Sequence, residues 1–361
     1  MRAAALLFLS FLTAPALGQP AHQEPPLTPP SVSAQMSDAQ IAASMEAWLG
    51  DLNARGNFDG AVLIARDGKE IFAHAYGLAH RHRDIGADVE TRYPLASIGK
   101  LFTAIAVAQL EQAGKLHGSD TLGALIPDYP NSVSRAATID QLLNMQAGVG
   151  DAFGPAFLEA GAETFASNAD YYRFVSQAPS EFAPGARTQY CNGCYIVLGE
   201  IVARIAGMGY EDYIAQNIIA PLGMSRTGFV HRNAPPPDTA TFYGSPRGPG
   251  GAIVDVSEFH GLAGSAAGNI YSTLRDLLKL DNALREHRLL NAQYTAQVLQ
   301  AAPEAGRATK RIGFAGGGPG VNTMLHGNGA WTLIVLANRE PPQAEAVDAA
   351  VFPLLAGPAA P

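Results

Sequence analysis

The chain has 361 residues, of which 47% are hydrophobic and 16% are charged. This composition supplies enough apolar side chains for a large folded core and excludes a disordered chain. With 24 Lys and Arg against 32 Asp and Glu, the formal net charge is −8. An acidic chain without a basic run is poorly suited to neutralising phosphates, which argues against nucleic-acid binding. Two cysteines, Cys191 and Cys194, are too few for a disulfide scaffold or a four-thiolate zinc site.

The N-terminus predicts a secretory signal peptide over residues 1–18. Arg2 precedes an apolar run, and small residues follow it up to Gly18. Pro15 ends the run before it reaches the roughly 20 residues that a membrane span needs. Residues 19–36 are rich in proline and predict an extended, poorly ordered leader. We therefore expect an exported protein, periplasmic or secreted, with no stable membrane span.

Hydrophobic periodicity divides the rest of the chain into helices and strands. A capping box at Ser37 predicts a helix, and strand-like runs over residues 58–65 and 70–76 predict a hairpin. A helix from Ser97 to about Gln112 is apolar almost all round, so we expect it to be buried centrally. Further helices are predicted over residues 139–145, 169–175, 195–205, 210–219, 273–284 and 343–355, and further strands over residues 321–325 and 331–337.

Strands at both ends of the chain and helices in the middle predict an α+β fold. We expect one domain over residues 37–356. Its sheet lobe would combine residues of about 37–96 and 300–356, and a helical lobe of about 97–299 would be inserted between them. A cleft between two lobes is the default position for a functional site.

The start of the buried helix carries a candidate nucleophile. Ser97 and Lys100 form the pattern Ser-x-x-Lys, and residues three apart share one face of a helix. A serine hydroxyl is a weak nucleophile until a neighbouring base accepts its proton. A lysine can act as this base when burial disfavours its charged form, which a central apolar helix provides. The helix N-terminus also favours negative charge near Ser97.

A second candidate element is the tripeptide Tyr190-Cys191-Asn192, at a loop that enters a predicted helix. Its phenol and its amide, two residues apart, could both face a cleft, where the phenol would exchange the serine proton. Taken alone, the tripeptide is equally typical of a packed loop tyrosine followed by a capping asparagine.

Together these motifs resemble the serine β-lactamase-related family, which includes class C β-lactamases, D-Ala-D-Ala carboxypeptidase-like enzymes, D-aminopeptidases and esterases. The resemblance covers about residues 40–350. Besides the two motifs, it rests on Phe-Ala-Pro-Gly at 182–185, Leu-Gly-Glu-Ile at 198–201, Pro-Leu-Gly-Met at 221–224, Asp151, Gly-Asn-Ile-Tyr-Ser-Thr at 268–273 and Val-Leu-Ala-Asn-Arg at 335–339. It implies a β-lactamase/penicillin-binding-protein-like fold, with an antiparallel sheet, flanking helices and an inserted helical lobe.

The resemblance also implies roles for individual residues. Ser97 would be the acylated nucleophile, Lys100 its partner base and Tyr190 the proton shuttle, while Asn192 would orient the substrate. The backbone N–H groups of Ser97 and of Gly317 would form the oxyanion hole. No metal and no cofactor is expected, because the nine histidines show no ligand spacing.

The third family motif departs from the expected pattern. The family has Lys-Thr-Gly or His-x-Gly on an edge strand, whereas this chain has Phe314-Ala315-Gly316 followed by Gly317. Phe314 cannot hold a substrate carboxylate, so β-lactams and D-Ala peptides should fit poorly and a neutral ester should fit better. A second departure lies at 144–148, where Met145 and Ala147 replace polar residues of the family's His-Thr-Ser-Gly.

Other patterns carry less weight. Cys191 and Cys194 form a C-x-x-C, which predicts either a small local disulfide or two buried thiols. The His-Arg-His-Arg run at 80–83 is typical of a solvated surface loop.

The sequence therefore predicts an exported serine hydrolase that acts through an acyl-enzyme on Ser97. Its substrates would be carboxylic esters, small amides or cell-wall-like D-amino-acid peptides, with weak or no β-lactamase activity. The alternative is a non-catalytic protein of the same fold that binds a ligand or partner, and Phe314 and Met145 motivate it. A thiol oxidoreductase that uses Cys191 and Cys194 is a third interpretation.

Overall fold

The structure is a computed structural model that describes residues 27–245, 251–299 and 312–357, so the predicted signal peptide lies outside the described residues. The α-helices are α1 Asp38–Ala54, α2 Gly99–Gln112, α3 Leu122–Leu125, α4 Ile139–Leu143, α5 Pro155–Ala160, α6 Asn168–Val175, α7 Asn192–Ala206, α8 Tyr210–Ile214, α9 Leu274–Arg285, α10 Ala292–Val298 and α11 Gln343–Ala356. The strands are β1 Gly60–Arg66, β2 Lys69–Tyr76, β3 Leu78–His80, β4 Ile85–Gly86, β5 Tyr93–Pro94, β6 Tyr243–Gly244, β7 Val254–Asp255, β8 Tyr271–Ser272, β9 Ile312–Gly318, β10 Val321–Gly327 and β11 Trp331–Ala337.

The main sheet has five strands in the order β2-β1-β11-β10-β9, and every neighbouring pair is antiparallel. The pairing of β1 with β11 joins the two ends of the chain, with Gly60 opposite Ala337 and Arg66 opposite Trp331. Strand β9, which carries the third motif, lies at one edge of the sheet. The predicted α+β fold, with an antiparallel sheet built from both termini, is confirmed.

Both faces of the sheet are covered, which explains why its central strands are almost continuously apolar. Successive residues of β1 alternate between two cores. Val62 and Ile64 pack with α1 and α11, whereas Ala61 and Leu63 belong to the larger core that contains α2. Helix α9 also packs against β1 and β11, although the sequence predicts it within the helical lobe.

Helix α2 is the centre of the larger core, as its sequence predicts. Its residues from Gly99 to Thr103 are all buried, and so are those from Ile105 to Ala108. A 3₁₀ turn over Ala96–Ile98 leads into the helix. Helices α7, α8 and α10 surround α2, so that its first turn faces the rest of the candidate site while its remaining length is enclosed.

The N-terminal capping box is confirmed, because Ser37 and Gln40 exchange the expected hydrogen bonds at the start of α1. The helix predicted over residues 210–219 differs from the structure in part, since α8 passes into a π-helical segment at Ala215–Ile219. In the part of the chain that the structure describes, no helix is long and apolar enough to cross a membrane.

Residues 27–36 differ from the expected poorly ordered leader. Val32 is buried in the core beside α1. The indole N–H of Trp48 donates to the carbonyl of Thr28 at 2.8 Å, and the Ser44 hydroxyl donates to the carbonyl of Ser31 at 2.9 Å. The segment follows α1 because these side chains offer both an apolar surface and hydrogen-bond donors.

A buried ion pair joins α9 to the sheet and generates a stability prediction. The Asp281 carboxylate is fully buried, accepts from the Thr332 hydroxyl of β11 at 2.6 Å and faces Arg285 at 2.8 Å. Asp281→Ala leaves the Thr332 hydroxyl and the Arg285 guanidinium without this acceptor and should lower the free energy of unfolding by about 3 kcal/mol. Urea denaturation measures this change.

Asp51→Ala is the matched control for this prediction, because Asp51 forms the same i,i+4 pair with Arg55 on an exposed surface. It should cost less than about 1 kcal/mol. Equal losses in the two variants would show that burial does not decide the contribution of the Asp281 pair.

Candidate active site

The backbone before Ser97 adopts a conformation that few residues take. Ala96 has φ of +43°, in the left-handed region that disfavours residues with a Cβ. The segment 268–270 holds it there: the N–H of Asn269 donates to the carbonyl of Ala96 at 3.1 Å, and the N–H of Leu95 donates to the carbonyl of Ile270 at 2.9 Å. Ser97 is therefore presented on a turn whose shape depends on a distant loop.

The Lys100 side chain ends among four oxygen atoms. Its Nζ lies 3.2 Å from Ser97 Oγ, 2.8 Å from Tyr190 Oη, 2.8 Å from Asn192 Oδ1 and 2.7 Å from the carbonyl oxygen of Ala267. Lys100 is only 5% exposed. An ammonium has three hydrogens, so it donates well to at most three of these acceptors at once. Ser97 Oγ is the most distant of them.

Tyr190 completes a continuous path for a proton. Its Oη lies 2.5 Å from Ser97 Oγ and 2.8 Å from Lys100 Nζ. Either oxygen can be the donor in the short Ser97–Tyr190 contact. The three groups are thus within direct transfer distance of one another, which is the geometry that nucleophile activation requires.

Asn192 is the first residue of α7, and its amide is oriented from both ends. The carbonyl oxygen Oδ1 accepts from Lys100, while Nδ2 donates to Asp151 Oδ1 at 3.2 Å. The Asp151 carboxylate can only accept hydrogen bonds, so it keeps the amide oxygen turned toward the lysine. The sequence indicates Asp151 only through the family resemblance, and no local signal predicts this orienting contact.

Strand β9 brings the third motif directly against the nucleophile turn. Gly316 pairs with Thr323 of β10. A Cβ at Gly316 would lie 2.4 Å from the carbonyl oxygen of Leu95 and 3.0 Å from the backbone nitrogen of Ser97. Only glycine permits this approach. The next residue, Gly317, is therefore close to the nucleophile, where the family resemblance expects an oxyanion donor.

Phe314 is partly buried and packs against the larger core. With Lys100 it lines a cavity of about 140 Å³. The other lining residues are Ala104, Ala108, Glu111, Asp140, Leu143, Asn144, Tyr195, Gln297 and Val298. Burial raises the pKa of the Glu111 carboxyl, whose Oε2 accepts from Gln297 at 3.0 Å. Phe314, at the position where the family resemblance leads us to expect Lys or His, therefore gives this cavity an aromatic wall.

The second departure from the family, at 144–148, is accommodated in the backbone. Met145 has φ of +56°, and its carbonyl accepts from the N–H of Gln189 at 3.0 Å, next to Tyr190. Ala147 is fully buried in the larger core. This loop supports the Tyr190 segment through its backbone, without the polar side chains of the family motif.

Of the two predicted states for Cys191 and Cys194, the structure shows the disulfide. Both cysteines are buried, and their Cα atoms are 5.3 Å apart. Cys191 is also the N-cap residue of α7 and stands between Tyr190 and Asn192. The disulfide therefore closes the turn that presents both side chains to Lys100.

The His-Arg-His-Arg run at 80–83 contacts residues other than those of the candidate site. The Arg81 guanidinium pairs with Asp59, and the rings of His80 and His82 lie 6.4 Å apart. Among the described residues, no group of three or more His, Cys, Asp or Glu side chains is placed to hold a metal ion.

The geometry therefore places a serine, a buried lysine and a tyrosine in mutual contact on an α+β frame. The profile of the Beta-lactamase family matches residues 45–356. The chain belongs to this family, the serine β-lactamase-related hydrolases.

Individual proteins are similar to this chain in sequence or in fold. Penicillin-binding protein 4* of Bacillus subtilis (strain 168) is 28% identical over 329 residues, which cover 80% of this chain and 70% of that protein. A penicillin-binding protein from Bacillus halodurans has a TM-score of 0.75 at 27% identity, covering 85% of this chain and 99% of that chain. The D-amino acid amidase of Ochrobactrum anthropi SV3, solved with L-phenylalanine amide, shares the fold, with a TM-score of 0.70, 22% identity and coverage of 89% and 98%.

The disulfide generates a prediction for stability. In a double variant, Cys191→Ser with Cys194→Ser, the free energy of unfolding should be about 2 kcal/mol lower than in the oxidised native protein. The reason is that the unfolded chain regains the conformational entropy that the short closed loop had removed. Urea denaturation of the oxidised protein and of the variant measures the difference.

A reducing agent is the control, since it should bring the native protein to the stability of the variant. The variant itself should not respond, because the chain has only these two cysteines. Equal stability of the oxidised protein and the variant would contradict the stabilising role.

Proposed function

We propose that this protein is a serine hydrolase that forms an acyl-enzyme on Ser97 and acts on neutral carboxylic esters or small amides. The observation that carries the proposal is the contact of Ser97 Oγ with both Tyr190 Oη, at 2.5 Å, and Lys100 Nζ, at 3.2 Å. A serine packed for stability alone does not need two proton-transfer partners, one of them a buried lysine.

In the acylation step, Tyr190 takes the proton of Ser97 as Oγ attacks the substrate carbonyl carbon. Tyr190 accepts this proton as the phenolate, which the buried Lys100 ammonium stabilises at 2.8 Å from the phenol oxygen. The tetrahedral oxyanion accepts from the backbone N–H groups of Ser97 and Gly317. When the bond to the leaving group breaks, Tyr190 gives its proton to that group and returns to the phenolate.

Deacylation repeats these steps with water as the nucleophile. Tyr190 takes a proton from the water as the water oxygen bonds to the acyl carbon. The bond from that carbon to Ser97 Oγ then breaks, Tyr190 returns the proton to Oγ, and the free acid leaves. Asn192, held by Lys100 and Asp151, presents its amide at the cleft, where it orients the bound acyl group. The cycle needs no metal and no cofactor.

The aromatic wall at Phe314 supports the choice of neutral substrates. A cationic side chain at this position would attract a substrate carboxylate, whereas a phenyl ring offers neither charge nor hydrogen bonds. Esters and small amides without that carboxylate need no cationic partner at this wall, so the phenyl ring does not weaken their binding. Small D-amino-acid peptides that can do without the carboxylate contact remain within the same proposal.

We also propose that the protein is exported. The sequence of residues 1–18 supports it, and so does the Cys191–Cys194 disulfide, since disulfides persist in oxidising compartments. The protein would then act in the periplasm or outside the cell. The intact mass of the mature chain tests this, because cleavage after Gly18 removes a defined mass.

A fluorophosphonate tests the nucleophile. We expect one adduct by intact mass, mapped to Ser97 and absent from Ser97→Ala. No adduct in a folded protein would favour the second candidate function, a non-catalytic protein that binds a ligand on the same fold, which the replacement at Phe314 motivates.

The proton-transfer roles predict the effect of two substitutions. Lys100→Ala and Tyr190→Phe should each lower kcat/KM for an activated ester by at least about a hundredfold, because Tyr190 carries the serine proton and Lys100 stabilises the phenolate that accepts it. Tyr213→Phe is the matched control, since its hydroxyl contacts Gln109 near the C-terminal end of α2, whereas Lys100 lies in the first turn, and it should not affect turnover. Near-normal turnover in either test variant would overturn its assigned role.

The substrate preference predicts the result of restoring the family's side chain. Phe314→His should raise turnover of carboxylate-bearing β-lactams or D-amino-acid peptides, because it returns a hydrogen-bonding group to the wall of the site. Phe314→Leu keeps the wall apolar and controls for the lost ring. The same result for both variants would show that the shape of the cleft, not this side chain, determines substrate choice.

A further inference from the structure

We propose that His260 is a positioning residue for the oxyanion hole. Its imidazole links the β9–β10 hairpin, which carries Gly317, to the loop that holds the turn before Ser97. The inference rests on the proposed function, because it assigns the two donors of the oxyanion hole to these two segments. No feature of the sequence indicates this role for His260.

The first link joins His260 to the hairpin. His260 Nε2 lies 2.6 Å from the carbonyl oxygen of Pro319, in the turn that follows β9. A carbonyl oxygen only accepts hydrogen bonds, so Nε2 carries the hydrogen and donates it. Pro319 is two residues beyond Gly317, and the bond therefore restrains the end of the strand on which the second oxyanion donor lies.

The second link joins the same ring to the opposite segment. His260 Nδ1, which has no hydrogen in this tautomer, accepts from Asn269 Nδ2 at 3.2 Å. Burial is the main cause that lowers the pKa of His260 to about 4; the nearby Arg232 acts in the same direction and the Pro319 hydrogen bond opposes it. The ring is therefore neutral at neutral pH and keeps one donor and one acceptor. The ring also stacks on Phe242, with 3.8 Å between centroids.

Asn269 transmits this restraint to the nucleophile turn. It has φ of +60° itself, and its N–H donates to the carbonyl of Ala96 at 3.1 Å. A Cβ on the preceding Gly268 would lie 2.5 Å from that same carbonyl oxygen, so the two backbones are in close contact. Left-handed residues other than glycine persist only where their surroundings hold them. Ala96 and Asn269 are two such residues in direct contact, and His260 holds the side chain of Asn269.

A separate contact keeps the hairpin attached to the rest of the protein without His260. The Thr323 hydroxyl of β10 donates to the carbonyl of Leu95 at 2.9 Å. Loss of His260 should therefore leave the fold intact and change the relative position of the two segments. Small displacements of this kind reduce the rate of the chemical step more than they reduce substrate binding.

The test compares His260→Ala, His260→Gln and His326→Ala. Gln can still donate an N–H toward Pro319, so it is the conservative variant. His326 is the matched control, because its ring also stacks on a phenylalanine, Phe352 at 3.6 Å, while it pairs with Asp348 away from Ser97. Titration with a fluorophosphonate to its end point counts the competent serines in each preparation.

We expect kcat per titrated serine to fall at least about tenfold in His260→Ala, with KM changed less than about threefold. His260→Gln should recover part of kcat, and His326→Ala should keep the native value. A variant that is only less stable would show fewer titrated serines with normal turnover on each. That result, or an unchanged kcat in His260→Ala, would overturn the inference.

Amide hydrogen exchange decides the inference independently of activity. In His260→Ala, exchange should become faster both in peptides covering residues 94–99 and in those covering 313–320, but not in His326→Ala. Faster exchange in only one of the two segments, or in neither, would overturn the link. If the native protein neither hydrolyses esters nor reacts at Ser97, the proposed function fails, and the exchange result still reports whether His260 couples the two segments.

Discussion

The buried ammonium of Lys100 is the group around which the candidate site is built. A charge removed from water costs several kcal/mol unless polar groups surround it. Here the surrounding oxygens come from the loop at Tyr190 and Asn192, from the carbonyl of Ala267 and from Ser97 on the 3₁₀ turn that leads into the helix of Lys100. Because these segments are far apart in the chain, the need to solvate one buried charge brings the groups for proton transfer together.

The backbone around Ser97 forms the second part of this arrangement. Strand β9 approaches so closely that Gly316 has no room for a side chain, and the turn at Ala96 is held in a left-handed conformation by its neighbours. Fixed backbone N–H groups stabilise a developing oxyanion without reorganising during the reaction. A rigid frame is therefore consistent with acyl transfer, and its polar supports at Thr323 and His260 are buried rather than exposed at the cleft.

The chemistry and the selectivity of the site are separable. The groups that we propose activate the serine are all in contact, whereas Phe314 occupies the position at which the family resemblance leads us to expect Lys or His. A family fold that keeps its nucleophile while it changes one wall can shift from charged to neutral substrates, because the wall affects binding and not proton transfer. The same replacement makes a binding role the natural second candidate.

The sequence by itself determined the elements formed by local interactions. These are the capping box at Ser37, the central apolar helix α2 and the shared face of Ser97 and Lys100, because their signals lie within a few residues of each other. It also identified Tyr190 and Asn192 as partners through a family resemblance. Only the tertiary structure decided contacts between distant segments, whose partners no local pattern specifies: the Asp151 contact with Asn192, the His260 link and the packing of residues 27–36. Such contacts depend on how whole elements pack, and that is set by the complete core.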